Sequence, residues 1–250
     1  MLQNKEGEKI PEVTFKLRKD NQWVNLSSKD IFDNKKVVVL SLPGAFTPTC
    51  SSTHLPRYSE LSKVFRKAGI DSIVCLSVND AFVMNEWAKS QNCEGVELIP
   101  DGNGEFSEKM GMLVDKSSLG FGKRSWRYSM YVENGKIKKM FIEPEKEGDP
   151  FEVSDAETML HYLAPKAQTP KRVSLFTKPG CPYCARAKEL LKAHDHDFEE
   201  IVVGQNGVTL KSLVAVTGKS SVPQVYIEGK HIGGSEELEK YLLSKEGNTA

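Results

Sequence analysis

The chain has 250 residues, 39% hydrophobic and 27% charged, and its 34 Lys plus Arg balance 34 Asp plus Glu for a formal net charge of zero. This composition excludes an intrinsically disordered chain and shows no basic excess of the kind that marks a nucleic-acid binder. The longest apolar run, Val37 to Leu42, is far too short to span a bilayer, and no apolar signal segment opens the sequence. A cytoplasmic protein without nucleic-acid or membrane partners is the expectation.

In chain order, Val37 to Leu42 reads as a buried central strand and Ser72 to Val78 as a second. Between them Tyr58, Leu61, Val64, Phe65 and Ala68 recur at helical spacing before Gly69, so the three segments form a βαβ unit. Ala81 to Ser90 reads as a helix. Arg127 to Val132 and Lys136 to Glu143 read as a hairpin about Asn134-Gly135. Ser154 to Glu157 has the spacing of a capping box ahead of an amphipathic helix through Met159, Leu160 and Leu163. Two prolines in a weakly apolar stretch then mark a linker. After it come a strand over Val173 to Thr177, a helix over Pro182 to Ala193 and a strand over Phe198 to Val202. A short helix over Leu210 to Val216, a hairpin over Gln224 to Ile232 and a last helix over Ser235 to Leu243 follow. The fold class is α/β, with domains over residues 1–163 and 172–250 and a linker at 164–171.

Five cysteines, an odd number, do not suit a secreted disulfide scaffold. Two of them, Cys181 and Cys184, form a Cys-x-x-Cys motif after a strand and at the start of a helix, where unpaired N–H groups favour a thiolate. A zinc site would need two further ligands at a suitable spacing, and His194 and His196 do not supply it, so no metal is expected. The segment from Lys171 to about Lys245 resembles the glutaredoxin family, through Phe176 to Cys184, Ser220 to Gln224 and Ile232 to Glu236. The resemblance implies a thioredoxin-like fold and a glutathione site, with Cys181 as nucleophile. It also implies that Val222 pairs its backbone with glutathione ahead of a cis Pro223. Gly234 and Ser235 would offer N–H groups to the γ-glutamyl carboxylate, and Lys178 would pair the glycyl carboxylate. Tyr183 either flanks the sulfur or packs. Ser221 stands where the family more often has threonine.

Cys50 follows the first strand by eight residues, and Pro48 suits a first helical turn, so Cys50 is expected near a helix start. Taken alone it reads equally as a small buried hydrophobe. Pro43, Thr47 and Cys50, within Pro-Gly-Ala-Phe-Thr-Pro-Thr-Cys, resemble the peroxiredoxin active-site loop. The wider string to Pro56, the stretch from Leu76 to Lys89 and that from Arg127 to Gly135 resemble the type-5 branch. The resemblance covers roughly residues 5–163. It implies that Cys50 attacks the peroxide, that Thr47 hydrogen-bonds thiolate and peroxide, that Arg127 donates to both, and that Pro43 shields the site. Arg127, rather than nearby Arg124, holds the family position. His54 is expected to pack or cap near the helix start, and Cys75 and Cys93 to be bystanders.

Many type-5 peroxiredoxins carry a resolving cysteine after the last hairpin; Glu143 to Val153 contains none here. The resemblances together therefore imply two thioredoxin-like domains joined by a short linker, acting as a glutathione-dependent thiol peroxidase. Hydrogen peroxide and small alkyl hydroperoxides would be substrates and glutathione the reducing co-substrate. No bound cofactor and a homodimer or higher homo-oligomer are implied. A protein-thiol deglutathionylase or disulfide oxidoreductase and a non-enzymatic peroxide sensor that relays oxidation to partners are the alternatives, and whether turnover needs Cys184 stays open.

Overall fold

The computed structural model describes residues 2–146, 148–194 and 196–246. The chain divides into two compact units, Met1–Gln168 and Thr169–Ala250. Ala164 and Ala167, within the stretch read as linker, pack against the core of the first unit.

The first unit opens with an antiparallel hairpin of β1 (Thr14–Lys19) and β2 (Gln22–Ser27). Asp20 and Asn21 turn it with φ of 48° and 62°, a region these short polar residues tolerate. Helix α1 (Ser28–Phe32) follows, capped by Ser27 and Asp30. The main sheet contains β3 (Lys36–Leu42), β4 (Ser72–Ser77), β5 (Val96–Pro100), β8 (Tyr128–Glu133) and β9 (Lys136–Ile142), in the order β5-β4-β3-β8-β9. The β3–β4 and β4–β5 pairs are parallel, and the β3–β8 and β8–β9 pairs are antiparallel. Along β3 successive side chains alternate faces. Val37 and Val39 enter one core with Phe15, Phe32 and Phe106, while Val38, Leu40 and Leu42 enter the other. Both faces are covered, which is why the strand reads as an unbroken apolar run.

The helix expected over 58–68 comes in pieces. A π-helical turn, Cys50–His54, leads into α2 (Leu55–Glu60), and Leu61 separates α2 from α3 (Ser62–Lys67). Pro56, which has no N–H for the preceding turn, sits just after the π-turn. Helix α4 (Ala81–Ser90) has the expected limits and is capped by Asp80. Beyond β5 lie α5 (Glu105–Lys109) and a small hairpin of β6 (Leu113–Asp115) and β7 (Lys123–Ser125). Asn134 and Gly135 turn β8 into β9 with φ of 46° and 71°, as a type I′ turn requires. Helix α6 (Ala156–Leu163) corrects the expected capping box. Its cap is Asp155, which accepts from Thr158 N, while the Ser154 hydroxyl donates to the buried Glu143 carboxylate and Glu157 pairs with Arg57.

The second unit has a four-stranded sheet in the order β11-β10-β12-β13, from β10 (Val173–Thr177), β11 (Glu199–Val202), β12 (Gln224–Ile227) and β13 (Lys230–Gly233). Only the β10–β11 pair is parallel. Helices α7 (Pro182–Ala193) and α9 (Ser235–Glu246) bury Ala187, Leu191, Leu238 and Leu242 against Val173, Leu175 and Val225. Helix α8 (Leu210–Thr217) places Leu213 in a smaller cluster with Phe176 and Val203. Among the described residues no helix is long and apolar enough to cross a membrane, and no group of three or more His, Cys, Asp or Glu could hold a metal.

Candidate active sites

In the first unit, β3 delivers the chain to a tight loop ahead of Cys50. Asn79 accepts from Ala45 N at 3.0 Å, and Phe46 adopts φ of 62°, a strained value for a bulky residue. Pro43 is half-buried here. Cys50 opens the π-turn with no solvent exposure. Arg127, immediately before β8, comes in from the neighbouring strand and is itself 1% exposed. Its Nη2 donates to Cys50 Sγ at 3.4 Å. The expected pairing of Cys50 with Arg127 is therefore formed. Arg124 instead donates to Val78 O and Phe121 O. The expected Thr47–Cys50 hydrogen bond is not formed; the Thr47 hydroxyl donates to Gly44 O at 2.8 Å, closing the loop.

Of the two roles expected of His54, packing is met and capping is not: it stands at the start of α2 with no side-chain cap bond, and its ring is fully buried against Tyr58 and Phe151. Nδ1 lies 3.0 Å from Arg127 Nη1 and Nε2 lies 3.1 Å from Ser154 O. Since Arg127 can only donate and the carbonyl only accept, the imidazole is neutral with its proton on Nε2. Burial, then the Arg127 charge, lower its pKa to about 3. Arg127 is opposed by its own burial, but the Cys50 sulfur and the Asp149 carboxylate outweigh this and raise its pKa above the usual value.

Two residues of this site escaped the sequence reading. Asp149 accepts from Arg127 Nη2 at 2.6 and 2.5 Å and from Nε at 3.2 Å. The Phe151 ring lies 5.6 Å from the guanidinium and 5.0 Å from the His54 ring. The available signal was Arg127 itself, because a fully buried guanidinium needs an acidic partner. Cys75 lies within β4, its pKa pushed well up by burial; Cys93 is half-buried and also raised by burial.

In the second unit, Cys181 caps α7: its sulfur accepts from Cys184 N at 3.3 Å and lies 3.8 Å from Val222 O. Pro182 takes the first helical position, where no N–H is required. Cys184 is buried, and burial first, then the adjacent Cys181, push its pKa to about 11. The Val222–Pro223 bond is cis, as expected. Gln224 steadies this loop, donating to Ser221 O at 3.0 Å while its Oε1 accepts from His231 Nε2 at 2.7 Å. Two depressions flank Cys181. One is lined by Lys178, Cys181, Lys188 and Gln205; the other by Tyr183, Val222, Pro223, Gly234 and Ser235. Tyr183 is 60% exposed, which favours a surface position beside the groove over core packing. The anion seat at the start of α9 needs a correction. The N–H of Gly234 is already taken by Glu237 Oε2 at 2.9 Å, leaving Ser235 as the expected donor without that competition.

The redoxin family profile matches residues 5–160 and the glutaredoxin profile residues 173–232. A hybrid peroxiredoxin of Haemophilus influenzae is 60% identical over 241 residues, covering 96% of this chain and 100% of that protein. A peroxiredoxin of Rhizobium etli is 48% identical over 62% of this chain and 93% of its own length. Among solved structures, reduced Prx3 of Vibrio vulnificus in complex with hydrogen peroxide matches with a TM-score of 0.60 and 39% identity, over 63% of this chain and 98% of that one. The antioxidant protein of Plasmodium falciparum, a 1-Cys peroxiredoxin, matches with a TM-score of 0.61 and 35% identity, over 65% of this chain and 100% of that one.

Proposed function

The chain belongs to the redoxin family and carries a C-terminal glutaredoxin domain, which makes it a peroxidase of the hybrid type, and from that premise we propose a glutathione-dependent cycle run by Cys50 and Cys181. Its substrates are hydrogen peroxide and small alkyl hydroperoxides. The observation that carries the reading is the buried Arg127 donating to the Cys50 sulfur. Bound peroxide is also the ligand in the Vibrio vulnificus structure.

The Cys50 thiolate attacks the near peroxide oxygen. An S–O bond forms, the O–O bond breaks, and the electron pair leaves on the far oxygen, which takes a proton to become water or an alcohol. Arg127 faces the developing charge with N–H groups already in place, the arrangement that lowers such a barrier most effectively. Thr47 joins it by turning its hydroxyl from Gly44 toward the peroxide, and Pro43 limits access by water. Glutathione then condenses with the sulfenic acid, releasing water and leaving a mixed disulfide on Cys50. Cys181 attacks the glutathionyl sulfur and frees the Cys50 thiolate. A second glutathione restores Cys181 and leaves as glutathione disulfide. The groove beside Cys181 receives the tripeptide, with Lys178 at one carboxylate, Ser235 at the other, joined by Gly234 once Glu237 releases its N–H, and Tyr183, Val222 and Pro223 along the backbone. No bound cofactor enters the scheme. A cytoplasmic setting supplies reduced glutathione, and the chain works as a homodimer or higher homo-oligomer.

Replacing Cys50 by Ser should abolish glutathione-driven peroxide consumption but spare exchange with a small mixed disulfide. Replacing Cys181 by Ser should leave one rapid oxidation of Cys50 and stop the turnover that follows. Retained turnover in Cys50→Ser refutes the site. Arrest of the wild-type chain after one equivalent, despite excess glutathione, favours a peroxide sensor instead.

A further inference from the structure

Arg127 is held by Cys50, His54 and Asp149, and Asp149 takes the largest share of the guanidinium. Nη2 donates to both Asp149 oxygens, and the same nitrogen lies 3.4 Å from Cys50 Sγ. The donor that faces the sulfur is thus also the one fixed by the carboxylate. An exposed ion pair would carry little weight, but here the Arg127 side chain is 1% exposed and the Asp149 side chain 39% exposed. The loop that carries Asp149 is anchored. The buried Glu143 carboxylate, at its start, accepts from Glu152 N, Val153 N, Ser154 N and Ser154 Oγ between 2.7 and 2.9 Å. Phe151 closes the same loop over the guanidinium and His54. A carboxylate at one end ties the loop shut, and a carboxylate further along grips the arginine.

We infer that Asp149 is a positioning residue for the peroxide reaction: it sets the direction in which Arg127 Nη2 faces the Cys50 sulfur and the oxygen leaving it. The inference rests on the proposed peroxidase chemistry. Asp149 has no contact with the sulfur and acts through Arg127. Its negative charge pulls the other way, since removing it would make the surroundings of Cys50 more positive. Charge and orientation therefore predict opposite changes in rate.

The test is Asp149→Asn in the full chain, with Asp149→Glu as the conservative variant. Peroxide oxidation of Cys50 is followed by stopped-flow fluorescence through Trp87, whose Nε1 donates to Ser51 Oγ beside Cys50. Alkylation of Cys50 by iodoacetamide is measured in parallel, because that reaction generates iodide and no charged oxygen for Arg127 to face. In Asp149→Asn the second-order rate constant for peroxide should fall about tenfold to a hundredfold, with alkylation unchanged within about twofold and partial recovery in Asp149→Glu. A peroxide rate equal to wild type overturns the inference alone, as does a parallel loss of both reactions. A wild-type chain with no rapid peroxide phase overturns the peroxidase reading and this inference with it.

Discussion

His54 should make the first unit acid-labile over a defined interval. In the native state its ring is enclosed, accepts from Arg127 at Nδ1 and donates to Ser154 O from Nε2. Burial and the facing guanidinium hold its pKa at about 3, whereas a histidine in an unfolded chain titrates near 6.5. Above pH ~6.5 neither state binds the proton, and this contribution to stability is complete. As the pH falls from there toward about 3, the unfolded chain takes up a proton that the native site refuses. Stability is then lost at about 1.4 kcal/mol per pH unit, or roughly 2 kcal/mol between pH 6.5 and 5.0. Urea titrations at a series of pH values measure this directly. Tryptophan fluorescence isolates the first unit, because Trp23, Trp87 and Trp126 all lie in it and the second unit has none. His54→Gln keeps an acceptor and a donor but no titration, so its stability should fall less steeply with acid by that one-proton slope. Carboxylates contribute equally to both proteins and cancel in the difference. Identical slopes for the two proteins would refute the reasoning, since they would mean that the native site accepts the proton.

Cys184, buried and with its pKa pushed to about 11, should remain unmodified when the native protein is alkylated at pH 7, while the half-exposed Cys181 reacts; peptide mass spectrometry after a short iodoacetamide pulse distinguishes them, and equal labelling would contradict the burial. Replacing Glu237 by Ala should free the Gly234 N–H and lower the apparent KM for glutathione, at a cost of about 1 kcal/mol to the second unit from the lost cap; an unchanged KM would remove Gly234 from the carboxylate seat.

Legibility in the sequence followed physical cause. Helices α4 and α7 and strand β10 begin and end where their patterns do, since apolar periodicity and local start signals agree there. The β1–β2 hairpin is only half legible: β1 alternates, with Phe15 and Leu17 buried, and Asp20-Asn21 marks the turn, but β2 is mostly exposed and shows no alternation of apolar and polar residues. The capping box at Ser154 failed because tertiary contact took its hydroxyl: Glu143, eleven residues earlier, needed a donor. At the peroxide site the loop motif carried Cys50, and the resemblance carried Arg127. Asp149 and Phe151 had no pattern of their own, because they lie in an irregular segment and gain meaning only where that segment closes over the arginine. Of the two roles expected of His54, packing holds and capping fails for a related reason. Its neighbours in sequence suggest a helix cap, and its neighbours in space are a buried cation and a carbonyl.

The complete enclosure of the Cys50 sulfur has a kinetic consequence. Hydrogen peroxide is close to water in size and needs only small local fluctuations to reach it. In the proposed cycle glutathione, a tripeptide, must bring its sulfur in line with the Cys50 S–O bond, and within the folded turn Cys50–His54 the Cys50 sulfur has no exposed surface. Release of the oxidised sulfur then depends on how often this turn opens, and the i→i+5 hydrogen bonding that holds it is a rare arrangement found mostly at functional sites. At high thiol concentration the cycle should reach a plateau set by that opening frequency, so the unwinding of one helical turn, and not bond exchange, becomes the clock of the enzyme.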